Sequence, residues 1–300
     1  MPHQQPVVPV ATSDDHRFDL IHVPAGQARH SLLFLPGMGL SARQYIPFAQ
    51  ALAGRGVETY IHEWRGIGSS SLRASRAVDW GYRELLAADL QAALTELATH
   101  ATHPQLLIGG HSLGSQLACL LAAMRPQACS GLLIVAGGAP YWRAYSGWMR
   151  WALPAIFFGM PAISAAAGHY PGRSLGFAGR ESRGVIRDWA ASGRSGVYAP
   201  GALSDDLEAG LARLECPTLA LRMADDWFVP QSSLDWLAGK LARAPVVQGV
   251  VRREGLSGPA DHYRWMREPE TTVTAVFDWL GSREKTGQSE AASAAATRRA

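Results

Sequence analysis

Residues 105–124 read QLLIGGHSLGSQLACLLAAM, an apolar run, a five-residue G-x-S-x-G turn and a second apolar run. The first run is short, as a buried strand requires. In the second, Leu117, Leu120, Leu121 and Met124 recur at helical spacing. Gly110-His111-Ser112-Leu113-Gly114 therefore reads as a turn from strand into helix. Side chains at Gly110 and Gly114 would collide with backbone in so tight a turn. Ser112 is left in a strained position with its hydroxyl exposed, at a helix N-terminus that favours negative charge. This predicts a nucleophilic serine, whereas the same five letters without strand and helix around them would mean little.

Working outward, Ser31–Leu35, Val57–His62, Leu132–Ala136, Thr218–Arg222 and Val246–Val251 are further strand candidates. Between the second of these and the serine, Leu86, Leu90, Ala93, Leu94 and Leu97 mark one face of a helix. Leu113–Met124, Ser232–Leu241 and Glu270–Leu280 are read as helices too. Strands alternating with helices imply an α/β fold with a mostly parallel central sheet flanked by helices. The alternation stops between Pro140 and Pro200, a stretch rich in Gly, Pro and Trp. A bare loop of that length is uncommon, so residues 140–200 are expected to form an inserted helical cap over a core of residues 16–139 and 201–280. Residues 1–15 are expected to be flexible and 281–300 to be a disordered tail. Trp151–Gly168 carries no charge, but Pro154, Gly159 and Pro161 interrupt it, which argues against a stable transmembrane helix and leaves a buried or lid segment, or peripheral lipid contact.

A serine needs a base to take its proton and an acid to orient that base, here in the order Ser, acid, His. Only His169 and His262 follow Ser112, and His169 lies within the expected cap. His262, in GPADHYRW, is the base this order selects. Asp225 and Asp226 follow the Thr218–Arg222 strand, where sites form in open α/β sheets. Asp226 is preferred as the acid, with Asp225 left for a solvated or capping role. The earlier acid position, after the strand ending at Ala136, reads GGAPY and holds no carboxylate. Oxyanion donors are expected at the N–H of Leu113, next to the serine, and of Met38, in the turn Pro36-Gly37-Met38-Gly39.

Composition narrows the classes. The 300 residues are 47% hydrophobic and 18% charged, too apolar for a disordered chain. A net charge of +3 is too small for an evident nucleic-acid binder. Three cysteines, with no C-x-x-C pair, argue against a disulfide framework or zinc cluster and fit a reducing cytoplasm. No cofactor, nucleotide or metal signature is present; Gly37-Met38-Gly39 lacks the third glycine and the acidic residue of a dinucleotide loop. From Tyr141 to Pro200, seven arginines face only Glu181 and Asp188, a surplus that could draw an anionic acyl donor or a membrane surface or simply be solvated.

The motifs together resemble the α/β-hydrolase fold superfamily over roughly Phe18–Leu280. GHSLG is similar to the elbow of its lipase, esterase and serine-aminopeptidase-like branches. Trp64-Arg65-Gly66-Ile67-Gly68-Ser69 resembles their R-G-x-G-x-S turn, and Asp226-Trp227-Phe228-Val229-Pro230 their D-x-x-V-P acid loop. ADDWFVP, HYPGRSLGF and VIRDWA resemble a bacterial group known as predicted α/β hydrolases. Two departures stand out. Pro36-Gly37 occupies the place of the usual His-Gly, and Asp261-His262 that of the usual Gly-His, with Gly258 displaced upstream.

The expected function is a serine hydrolase that cleaves a carboxylic ester or thioester of a hydrophobic small-molecule acyl substrate. Acyl transfer or peptide cleavage by the same triad are alternatives, as is a non-catalytic ligand-binding module. Serine at the elbow argues against epoxide hydrolases and dehalogenases of this fold. Few carboxylates in the cap argue against an aminopeptidase. Trp142, Trp148, Trp151, Phe157 and Phe158 are read as a substrate-binding wall or as packing that fastens the cap.

Overall fold

The computed structural model describes residues 5–103, 105–201, 203 and 206–297. Its eight-stranded sheet contains β1 (Val7–Ala11), β2 (Arg17–Val23), β3 (His30–Leu35), β4 (Val57–Ile61), β5 (Leu106–His111) and β6 (Gly131–Val135). A small two-stranded sheet, β7 (Tyr170–Pro171) with β8 (Arg180–Glu181), precedes the last two main strands, β9 (Thr218–Met223) and β10 (Val246–Val251). The main sheet runs β1-β2-β4-β3-β5-β6-β9-β10 and is parallel except for β1 and β2. All five strand candidates outside the elbow, and the one leading into it, lie in this sheet.

Because successive side chains in a strand point to opposite faces, each central strand feeds two cores. Leu33 and Leu35 of β3, with Leu132 and Ile134 of β6, pack on one face under α3 (Leu90–His100), α4 (Leu113–Met124) and α9 (Gln231–Gly239). Leu32, Phe34, Leu133 and Val135 pack on the other, under α1 (Ile46–Ala53) and α10 (Glu270–Thr297). A short α2 (Tyr82–Glu84) and a wide turn lead into α3.

Between β6 and β9 lies the insertion: α5 (Gly147–Ala167), α6 (Gly172–Leu175) and α7 (Arg183–Ser195), with α8 (Leu207–Arg213) following on the core. α5 passes straight through Pro154 and Pro161, which the sequence reading took as helix breakers. A proline inside a helix frees the carbonyl one turn earlier. Pro161 frees that of Phe157, and Arg194 of α7 donates to it at 2.7 Å, so the lost bond is replaced from the neighbouring helix. The two helices can close this far because Gly193 faces Phe157: a Cβ there would come within 2.4 Å of the ring.

Two boundary expectations are corrected. Residues 7–11, expected to be flexible, form an edge strand paired with β2, burying Val8 and Val10. Alternation in this stretch is masked by Pro9, which an edge strand tolerates. The last helix, expected to stop at Leu280, is continuous to Thr297, through an Ala-rich run of high helix propensity. Among the described residues, no helix is long and apolar enough to cross a membrane.

Candidate active site

The expected triad and oxyanion residues follow the carboxyl ends of parallel strands. Ser112 follows β5 and opens α4, with φ 54° and ψ −117°, a conformation costly for any residue with a Cβ. Its flanking glycines are obligatory on steric grounds. A Cβ on Gly110 would lie 2.3 Å from the Gly114 carbonyl carbon, and one on Gly114 would lie 2.0 Å from the Leu35 carbonyl oxygen. Strand, elbow and the loop after β3 are thus in backbone contact.

Asp226 follows β9 and His262 lies in the loop after β10. Their side chains meet, with His262 Nδ1 2.7 Å from Asp226 Oδ2. Both are buried. The carboxylate accepts a hydrogen bond from the Nδ1–H, so Nε2 is left as the acceptor. The other oxygen, Asp226 Oδ1, accepts the N–H groups of Phe228 and Val229 at 2.8 and 3.1 Å, which fixes the carboxylate's orientation. Asp225 points elsewhere: its Oδ2 accepts the Ala260 N–H at 2.8 Å, and its own N–H donates to the Ala260 carbonyl. The neighbouring aspartates have separate duties, one on the histidine and one on the loop that carries it. Asp261, in place of the usual glycine, accepts the N–H groups of Tyr263 and Arg264 and stiffens the same loop.

Met38 lines the same cavity as Ser112, and Leu113 is the first residue of α4, so its N–H has no partner one turn below. The Pro36 departure is compensated. Its carbonyl accepts the Trp64 indole N–H at 2.9 Å, and Tyr45 accepts the Gly37 N–H at 2.8 Å. The loop also touches the insertion, because Gly39 (φ 74°) packs against Gly179: a Cβ there would lie 2.2 Å from the Gly179 nitrogen.

The cavity over Ser112 and His262 is lined by Tyr145, Phe177 and Trp189 of the insertion, and by Phe228 and Tyr263 of the core. None of the five aromatic residues expected to form its wall is among them. Phe157 is fully buried between α5 and α7, edge-on to Trp189. Trp142 packs against Tyr141 beneath two arginines. Trp148, Trp151 and Phe158 project outward from α5. Aromatic content does not say which face of a helix turns inward; the partner α7 decides it. Gln116, one turn after Ser112 on α4, went unremarked in the sequence; it is buried, lines the cavity, and its amide oxygen has no partner among the described residues. Its spacing of four from Ser112 was the available signal. Tyr145 also lines the cavity, its phenol donating to the Phe228 carbonyl at 3.0 Å, with burial pushing its pKa up to about 12. Among the described residues, no cluster of His, Cys, Asp and Glu could hold a metal ion.

Residues 26–175, half of the chain, match the family described as serine aminopeptidase, S33. The chain belongs to this family of α/β hydrolases. A hydrolase from Pseudomonas aeruginosa shares the fold with a TM-score of 0.59 and 22% identity, covering 92% of this chain and 98% of the other. A thermophilic esterase from Thermogutta terrifontis aligns with a TM-score of 0.63 at 17% identity, covering 92% and 98%. An esterase from Exiguobacterium antarcticum gives 0.60 at 17% identity, covering 91% and 99%. This hydrolase therefore has the fold that its elbow implied.

Proposed function

We propose that this hydrolase cleaves a carboxylic ester or thioester through an acyl-enzyme, with Ser112, His262 and Asp226 as the triad. The observation that carries the reading is the 2.7 Å contact between His262 Nδ1 and Asp226 Oδ2, beside a cavity whose floor is the strained Ser112. His262 Nε2 takes the Ser112 proton as Oγ attacks the acyl carbon. The oxyanion is held by the N–H groups of Met38 and Leu113, each donor typically contributing about 10²–10³ in rate. Collapse breaks the bond to the alkoxide or thiolate, which leaves with the proton from His262. Water then attacks the acyl-serine, His262 taking its proton and returning it to Ser112 as the acid departs.

Residues 140–200 serve as the cap, since Tyr145, Phe177 and Trp189 roof the nucleophile. Esterase relatives of the same fold favour ester cleavage over peptide cleavage. So does the cavity wall: no Asp or Glu is among its described lining residues, and an ammonium group would have no counter-charge there. The acyl group is neutral and apolar, with Gln116 offering one polar contact. A cytoplasmic location belongs to this reading, on the odd number of cysteines.

The test is a p-nitrophenyl ester series of increasing acyl length together with fluorophosphonate labelling. Short and medium chains are expected to turn over, with covalent capture of Ser112. Labelling that persists in Ser112→Ala would exclude the nucleophile.

A further inference from the structure

We propose that the outer face of α5 seats the protein on an anionic lipid surface. Trp148, Trp151 and Phe158 are 69%, 75% and 67% exposed, values unusual for large aromatic side chains on a folded domain. With Ala155 and Ala162, also exposed, they form a stripe at spacings of three and four along one side of the helix. Ile156 and Ile163 widen it. From Trp151 to Gly168 there is no charged side chain to interrupt this face.

The surroundings identify the partner by charge. The guanidinium of Arg194 stands 4.9 Å over the Phe158 ring, and those of Arg143 and Arg150 stand 5.0 and 5.5 Å from Trp142, at the start of α5. The insertion's only two acidic residues are withdrawn from the surface. Glu181 is buried and accepts the Gly179 N–H, while Asp188 accepts the Tyr82 N–H of the core. What remains outside is an apolar aromatic stripe bordered by cations. Indole rings favour the boundary between headgroups and acyl chains, and arginines beside it pair with lipid phosphates. A second copy of the chain fits less well, because its arginines would meet these. The helix would lie in the plane of the interface, with the cavity's aromatic roof on its opposite side.

Partition onto vesicles is read without any substrate and so stands apart from the ester-cleavage reading. Sedimentation with equimolar phosphatidylcholine and phosphatidylglycerol vesicles should pellet the wild type, with a blue shift of tryptophan fluorescence. Pure phosphatidylcholine should bind it much more weakly. Trp148→Ala/Trp151→Ala/Phe158→Ala should weaken binding more than tenfold. The single Trp151→Glu, at a position too exposed to threaten folding, should weaken it in the same direction. Arg143→Gln/Arg150→Gln should lose roughly fivefold per arginine on the anionic vesicles alone. Melting and soluble-ester hydrolysis should stay unchanged in these variants. The proposal is overturned if wild type stays in the supernatant with both vesicles, or if both aromatic variants pellet like wild type. It is equally overturned if sedimentation velocity shows a dimer that Trp151→Glu dissociates.

Discussion

The phenolic oxygen of Tyr45 sits 2.7 Å from Nδ1 of His111, and the same oxygen accepts the Gly37 N–H at 2.8 Å. Among the described residues the hydroxyl has no other acceptor for its own hydrogen, so it donates to His111. That fixes His111 as the neutral tautomer with its proton on Nε2. Full burial favours the same state by pushing the imidazole pKa well below its ordinary value. The loop carrying Met38 is thereby tied to the residue just before Ser112.

Tyr45→Phe deletes one oxygen and leaves two buried groups unpartnered, at a cost of about 1–3 kcal/mol in stability. Because the Met38 N–H is loosened and not removed, kcat should fall about tenfold, less than the 10²–10³ of losing a donor outright. Denaturant melts and ester kinetics measure both. A Phe variant with wild-type kcat would show that the loop holds its position unaided.

Ser112→Ala and His262→Ala should each lower kcat by roughly 10⁴–10⁶, with little additivity in the double variant. Asp226→Asn should cost about 10⁴ and Asp225→Asn less than about tenfold, since only Asp226 orients the imidazole. The reverse order in the two asparagine variants would reassign the acid.

Gly193→Ala should destabilise the insertion by about 1–3 kcal/mol, because the new methyl group meets the Phe157 ring and must push α7 from α5. Calorimetry would register the loss. Val197→Ala, at an exposed position just beyond α7, serves as the control and should melt like wild type.

Burial raises the Glu181 carboxyl from 4.5 to about 7. The folded state therefore holds a proton that the unfolded chain has released, and this contribution is lost as pH rises from about 4.5 through 7. Glu181→Gln keeps an acceptor for the Gly179 N–H but removes the titration. The variant should be more stable than wild type at pH 8 and similar at pH 4.5, as read from melting temperatures across that range. Parallel curves would mean that Glu181 does not titrate there.

Much of this architecture was legible because its signals are local. The apolar strand before Gly110, the helix after it and the order Ser112, Asp226, His262 need no knowledge of distant contacts. In the structure Asp226 stands against the histidine, while Asp225 bonds to Ala260. What stayed hidden depends on partners remote in sequence. Tyr45 reaches His111 across 66 positions. Phe157 turns inward where Gly193 makes room for it, and the carbonyl that Pro161 frees is met by Arg194. Arg65 lay in a recognised turn, yet its pairing with Asp89 and Asp14, which pins the N-terminal hairpin, is visible only in three dimensions.

The fit of Gly114 against the Leu35 carbonyl also bears on how the protein can be rebuilt. Ser112 is positioned by β3, β5 and α4, all outside the insertion. The insertion meets the Met38 loop through the backbone of Gly179, against Gly39. The insertion is also tied to the core elsewhere: Asp188 accepts the Tyr82 N–H, the Ser182 hydroxyl donates to the Trp80 carbonyl and the Tyr145 phenol to that of Phe228. A replacement would have to bring its backbone as close to Gly39 and keep a glycine at the position of Gly184, where a Cβ would lie 2.3 Å from the Trp80 carbonyl oxygen.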